Sequence, residues 1–456
     1  TYYCRPFVIK IGRKNSTKRI VFIIINHKIW DYTELNLQGT LFVYLYIKIT
    51  PLIRYTYILL LLGLLAPSAF GQIMEEVNPP ENIKSIVFKG PTEDQFPVIQ
   101  LGESMTLEFD DLMANEQDYY YKIVHCDYDW TPSQLLKSQY LDGADNQRII
   151  DYENSYTTLQ PYSNYRLTIP NQNVKLRVSG NYLLEIYNSY GELQFSRRFV
   201  VYRDAVAVSG VVKRSRDFNF INTKQVVQFN INTAGFNVVN PKREVKVAII
   251  QNHQWPTALY NIKPQFTIGT ELVYKYNEET SFFGGNEYLY FDTKDLRSPT
   301  FAVSNIEMRD VYHHYLFTNE FRFDREYTYF PDINGDFVVR TLQGEDVSRE
   351  AEYSKVHFSL PYSNLIGLNH VYVIGKFNNY ALTDENRMTF NEESGKFEAT
   401  LMIKQGFYNY KYVVQKEDGT IEPNLVSGNF HFTENNYLIL VYYRDFGDMH
   451  DSIIGI

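Results

Sequence analysis

The chain predicts an all-β protein built of tandem antiparallel β-sandwich domains, and three observations carry that reading. Of 456 residues, 39 are Tyr and 31 are Phe, and aromatic side chains favour the pleated, half-buried surface of a strand. Helical periodicity is nowhere sustained beyond three turns. Between Val371 and Val414, three runs alternate apolar and polar residues and end in turn chemistry. Val371–Ile374 stops at Gly375. The next run puts Phe397, Ala399, Leu401 and Ile403 on one face and ends at Gly406. The last puts Tyr408, Tyr410, Tyr412 and Val414 on one face and turns at Asp418-Gly419. A period of two with such punctuation is the mark of strands with one buried side.

The chain is too long for one sandwich and suits about three domains of ~100–150 residues. Residues 1–45 are basic and apolar with no sustained strand or helix period, the first methionine is Met74, and the segment reads as mis-assigned upstream sequence outside the fold. Residues 46–71 read as a secretory signal peptide. Lys48 and Arg54 precede the apolar run Ile58–Ala66, and small residues stand at Ala69 and Gly71. That run is well short of the ~20 apolar residues a membrane-spanning helix needs.

Setting aside the nine Lys and Arg and the two Asp and Glu before Gln72 leaves 35 basic against 51 acidic residues, a net charge of −16. Such a balance opposes nucleic-acid binding, because nothing offsets phosphate repulsion. Cys126 is the one cysteine after Gln72, so this part of the chain forms no internal disulfide and holds by burial.

Three domains are expected. The first, 72–203, has candidate strands at 85–89, 104–109, 119–125, 163–169, 182–187 and 194–202. Its Ser179-Gly-Asn-Tyr182 segment has the pattern of a tyrosine corner, in which a Tyr hydroxyl returns to backbone a few residues upstream. The second, 204–342, opens with Val227, Phe229 and Ile231 on one face, then Val245, Val247 and Ile249, and holds Gly284-Gly285. The third, 343–456, adds a strand at 356–360 to the runs described above.

Polar constellations read as structure. His125, Cys126, Asp127 and Asp129 lie within five residues, but neighbours on a strand point to opposite faces and no distant ligand pair accompanies them. They read as a strand end running into a turn with Trp130 in the core. Asp332-Ile-Asn334-Gly-Asp336 begins like a calcium loop, yet Phe337 stands where that loop needs glycine and Gln343 where it needs Glu. His313-His314 faces two ways. No catalytic, metal or cofactor site is assigned. Exposed aromatics at Phe282 and Phe283, ahead of Gly284-Gly285, are candidate partner contacts.

The 371–414 segment resembles the early-set, immunoglobulin-like sandwich of glycogen-binding modules, which stack sugars on two Trp with help from a Lys and an Asn. Tyr380 stands at the first Trp position and Lys411 at the Lys, while Thr420-Ile421 replaces the second Trp and Asn435 or Asn436 stands for the Asn. That resemblance makes Tyr380 and Lys411 candidate ligand contacts and implies α-glucan binding as an alternative function.

Across the rest of the chain, several ordered segments resemble one family. They are HCDYDW at 125–130, DYENSY at 151–156, SGNYLLEIY at 179–187, RRFVVY at 197–202, INTKQVVQFNI at 221–231, QNHQW at 251–255, GGNEYLYFD at 284–292, DINGDF at 332–337 and KQGFYNYKY at 404–412. In this order they are similar to the plug proteins of the Bacteroidetes type 9 secretion system. The resemblance implies a non-enzymatic periplasmic subunit without cofactor. Its implied partner is a large outer-membrane translocon β-barrel, closed at its periplasmic mouth when no cargo is engaged. Amino-terminal sequencing of the exported protein should find Gln72; a start inside 1–45 would refute the reading of that segment.

Overall fold

The computed structural model describes residues 72–456 and, before them, two strands, Phe7–Arg13 and Ser16–Phe22. Those two pair antiparallel from Phe7 opposite Phe22 to Arg13 opposite Ser16. This departs from the expectation of no sustained strand period in 1–45. The signal-peptide segment 46–71 lies outside the described residues.

Residues 72–456 form one compact unit of stacked sheets, and the chain is all-β. In the first sandwich, Ile83–Lys89, Met105–Asp111, Ser163–Ile169 and Asp151–Asn154 line up in that order as one sheet. Val98–Gln100, Leu193–Tyr202, Gly180–Asn188, Tyr119–Cys126 and Gln147–Arg148 make the other. Alternate residues of both sheets, among them Leu107, Phe109, Tyr165, Tyr182, Leu184 and Phe199, interleave as its core. The Tyr182 hydroxyl donates to the Val178 carbonyl at 2.8 Å, which is the tyrosine corner. Val98–Gln100 joins its sheet parallel to Leu193–Tyr202, a pairing too short to show as alternation.

The remaining sheets do not follow the expected division at 342/343. One sheet contains Ala207–Arg214, Lys224–Asn232, Glu271–Tyr274 and Phe266–Ile268. The sheet packed on it contains Leu259–Ile262, Val245–Gln251, Tyr437–Tyr443 and Ser452–Gly455. The second sandwich is therefore closed by the end of the chain. The third sandwich, built from strands between Leu289 and Glu422, is inserted into it. Its first sheet centres on Gly406–Gln415, flanked by Leu289–Asp292, Phe337–Val339, His370–Ile374 and Ile421–Glu422. Its second runs Val303–Met308, Tyr312–Leu316, Tyr353–Pro361, Lys396–Lys404, Thr389–Asn391.

Lys396–Lys404 and Gly406–Gln415 are consecutive in sequence yet lie in different sheets. Their apolar faces meet across the core: Leu401 and Ile403 on one side, Tyr408, Tyr410 and Tyr412 on the other. Gly406 marks the crossing, since a Cβ there would stand 2.3 Å from the Val338 carbonyl oxygen. Only glycine lets the Phe337–Val339 strand approach so closely.

Three joints tie the sandwiches together. Lys404 Nζ meets Asp110 Oδ2 at 2.7 Å with side chains 3% and 1% exposed. The same carboxylate accepts from the Tyr353 hydroxyl at 2.6 Å and from Asn164 Nδ2 at 2.8 Å. Lys404 also donates to Ser348 O at 2.8 Å and lies 4.1 Å above the Tyr162 ring. At the second joint, Asp451 accepts from Lys246 at 3.0 Å, and its backbone N–H donates to Asp127, which Arg444 reaches at 3.2 Å. Beneath these groups an apolar core of Phe96, Cys126, Trp130, Ala248, Trp255 and Leu440 spans the first and second sandwiches. At the third joint, Asp336 accepts from Gln95 N at 2.9 Å, and its own carbonyl takes the Asn409 N–H at 3.0 Å.

A buried charge stripped of its partner costs several kcal/mol. Lys404→Ala should therefore destabilise the protein by about 3–5 kcal/mol in chemical denaturation. Pairing Lys404→Met with Asp110→Asn should recover more than half of that loss, because neither charge is then left alone. Equal losses for the single and double variants would refute the role given to the pair.

Candidate partner-binding surface

Tyr380 and Lys411 converge, but inside the protein. Both close on Tyr288, which arrives from the Gly284–Asp292 segment. The Lys411 ammonium lies 4.8 Å from the Tyr288 ring centre, and the lysine is 9% exposed. Burial, reinforced by nearby Arg322, pulls its pKa down to about 8. Tyr380 is half-buried with its hydroxyl turned inward, 2.7 Å from where a Cβ on Gly335 would stand. Gly335 itself has φ +89°, a conformation glycine adopts without strain. Tyr288 thus fills the space in which a sugar would contact Lys411. Asn435 is spent on Gln225 Oε1 and the Gly284 carbonyl at 3.0 and 2.9 Å. The ligand contact expected at Lys411 is corrected on this ground.

The Asp332–Phe337 turn uses its polar atoms on backbone. Asp332 accepts from Tyr288 N and from Asn334 N, the latter at 2.8 Å, while Asn409 Oδ1 takes Ile333 N at 2.7 Å and Gly335 N at 3.2 Å. Burial raises the pKa of both Asp332 and Asp336. His125 packs edge-on against Tyr182 at 4.8 Å and bonds Ser133 at 2.8 Å, whereas Cys126 faces the Trp130 cluster. The Cys126 thiol is pushed up to about 12 by burial, which makes it a poor nucleophile. No group of three or more His, Cys, Asp or Glu disposed to hold a metal occurs among the described residues.

Phe282 and Phe283 part company. Phe282 is 6% exposed and packs on Tyr437 in the second core, so the contact expected there is corrected; adjacent strand residues cannot both face outward. Phe283 is 48% exposed and meets the Phe220 ring at 6.1 Å. The Lys224 ammonium caps both rings, 4.2 Å from Phe220 and 4.7 Å from Phe283.

From there an aromatic surface continues that the sequence did not reveal. Gly284 passes so close to the Phe430 carbonyl that a Cβ would stand 2.1 Å away, and His431 N donates to Asn222 O at 2.9 Å. Tyr327 contacts Phe430 at 5.7 Å and Phe432 at 6.0 Å. Phe218, 89% exposed, is two residues from Phe220 in the chain, and Phe432 at 67% and Phe323 at 42% exposure stand along this run. It is made by loops of the second sandwich and by the segments that enter and leave the third. A trace of it was present in Phe321–Phe330, where five aromatics crowd ten residues. Large exposed aromatic surface of this kind marks interaction sites.

Residues 83–203 match the family described as "Type 9 secretion system plug protein 1st domain". The crystal structure of a hypothetical protein from Parabacteroides merdae superposes with a TM-score of 0.79 at 32% identity, covering 84% of this chain and 98% of its own. The chain belongs to the type 9 secretion system plug protein family. No curated protein matches it by sequence. The plug protein family is a component of the secretion machinery rather than a family of enzymes. Membership accounts for the first sandwich directly, and the joints above extend the same body through the second and third.

His313 and His314 also separate. His313 Nδ1 bonds His357 Nε2 at 2.8 Å on the neighbouring strand. His314 is fully buried on the face of Leu316, with neither ring nitrogen hydrogen-bonded. Burial, then the positive charge that His313 and His357 can carry, lowers the His314 pKa to about 4. An unfolded His protonates near 6.5, so between 6.5 and about 4 the unfolded chain binds the extra proton and stability falls as pH falls. His314→Leu should flatten this loss by about 3 kcal/mol at pH 4, read as a smaller drop in Tm between pH 6.5 and 4.5. An unchanged pH profile would remove His314 from the acid response.

Proposed function

We propose that this plug-family chain acts in the periplasm and closes the periplasmic mouth of the type 9 outer-membrane translocon barrel when no cargo is engaged. The observation that carries the reading is the exposed aromatic surface from Phe218 through Phe283 to Phe432 on a body whose three sandwiches are locked by buried polar joints. A conduit wide enough for folded proteins leaks solutes unless something rigid covers it. Covering requires shape and reversible affinity, and no bond need be broken. Cargo engagement that favours a barrel state with lower plug affinity releases the plug by population shift.

A specific contact of this kind buries at least ~1,000 Å². Exposed aromatic rings are efficient anchors, since they bury much area at little conformational cost. With −16 on residues 72–456, charge pairing at the rim makes the association salt-dependent.

A tagged copy should co-purify with an outer-membrane barrel of exceptional size, and deletion should raise permeability to large antibiotics. Absence of both results sinks the proposal. Combining Phe218→Ala, Phe283→Ala and Phe432→Ala should lower barrel recovery at least tenfold while leaving Tm within about 2 °C, because exposed rings contribute little to folding. Phe390→Ala, an exposed ring on another sheet, should leave recovery unchanged. Equal effects of the two sets would assign the contact elsewhere.

A further inference from the structure

The Ala207–Arg214 strand ends its sheet. It pairs with Lys224–Asn232 on one side, in unbroken register from Ala207 opposite Asn232 to Arg214 opposite Gln225. Just beyond it, Ser215 N donates to Lys224 O at 3.0 Å. In an antiparallel ladder that bond fixes the parity. Odd residues turn their N–H and C=O toward the partner strand; Val208, Gly210, Val212 and Arg214 turn theirs away. Val206 agrees, because its N–H faces outward to the Ile454 carbonyl at 3.1 Å. The last strand of the chain covers the edge only that far. None of the outward backbone groups from Val208 to Arg214 has a hydrogen-bond partner among the described residues.

An open edge of this length is ordinarily blunted by a bulge, a proline, charged side chains or a covering segment. This one has no bulge or proline, and its residues are exposed almost throughout, with Val211 at 50% and Val212 at 45%. Its charges gather at one end. Between 207 and 224 stand Lys213, Arg214, Arg216 and Lys224 against Asp217 alone, on a chain of net −16 from Gln72 onward. None of these cations has a carboxylate partner among the described residues. Lys213 instead reaches Gln228 at 2.9 Å, and Arg214 reaches Asn222 at 2.7 Å. The loop closing this hairpin carries Phe218 and Phe220 of the aromatic surface.

The geometry points to strand addition: the Val208–Arg214 edge receives an extended, acidic segment of the translocon barrel chain. The inference rests on the function proposed above and names its bonding mode. Main-chain hydrogen bonds supply affinity without demanding a particular side-chain sequence. The cations at Lys213, Arg214 and Arg216 select carboxylates near one end of the added strand. A second copy of this chain is the poorer occupant, since its own edge, residues 207–216, carries no carboxylate to offer Lys213, Arg214 and Arg216.

Hydrogen–deuterium exchange on the full exported chain, with and without the detergent-solubilised barrel, tests this. Peptides covering 207–216 should exchange at least tenfold more slowly in the complex. Val212→Pro removes an outward N–H and no ladder bond, so it should weaken barrel binding at least tenfold with the second sandwich intact. Should that variant misfold, the exchange measurement on the unmodified chain decides alone. Complex formation with unchanged exchange at 207–216 overturns strand addition and leaves the plug reading standing. Protection that grows with concentration of the chain alone, with a doubled mass, makes the edge a self-contact and overturns it too. Failure of the unmodified chain to bind the barrel overturns the plug reading and this inference with it.

Discussion

The buried pair of Lys404 and Asp110 is the constraint on which the body depends. Removing two charges from water costs more than their attraction returns unless the remaining valences are filled. Here they are filled from several directions, by Tyr353, Asn164 and the Ser348 carbonyl, with Tyr162 beneath the ammonium. Asp110 and Asn164 belong to the first sandwich, Lys404 and Tyr353 to the third. Such a cluster is satisfied in one arrangement only, and a small slide of one sheet over the other would strand a charge. Its effect is to fix geometry more than to add stability.

The inserted topology gives that fixity a purpose. The third sandwich leaves the second near Gly284 and returns near Tyr437, so two crossings tie it to its host. Gln225, on the host strand, holds the returning passage by donating to the His431 and Thr433 carbonyls at 2.8 and 2.7 Å. Thr433 in turn donates to the Gly285 carbonyl at 2.8 Å. The aromatic surface lies on these crossings. Rings presented by loops would ordinarily lose much of their binding energy to ordering; here the loops are already held by hydrogen bonds on both sides.

Much of the fold was legible in the sequence, and the failures have one physical origin. Alternation reports which face of a strand is buried, so Phe397 to Ile403 and Tyr408 to Val414 were readable as core, and the strands of the first sandwich lie within a few residues of their expected positions. Alternation says nothing about the neighbour across the ladder. Tyr437–Tyr443 reads like any apolar strand, yet it completes a sheet begun at Val245–Gln251. The same gap hid the site. Tyr380 and Lys411 have the residue types of a sugar site, but Tyr288 enters from a distant segment and covers the lysine. The exposed rings of Phe323 and Phe432 differ from buried ones only in what packs on them, which composition does not record.

An open strand edge whose hairpin loop adds a ring to a neighbouring aromatic surface suits a contact that must be both tight and reversible. The edge offers a row of directional bonds whose strength does not depend on side-chain identity, and the rings offer area that is buried only when the partner's shape agrees. Because the 215–222 loop joins the two, a strand added at the Val208–Arg214 edge would end beside the loop bearing Phe218 and Phe220. Release would then proceed from the edge inward, each broken bond lowering the cost of the next. Under the proposed function, a plug held this way would resist solutes, which make no such bonds, and would yield to a conformational change in the barrel that withdraws a single strand.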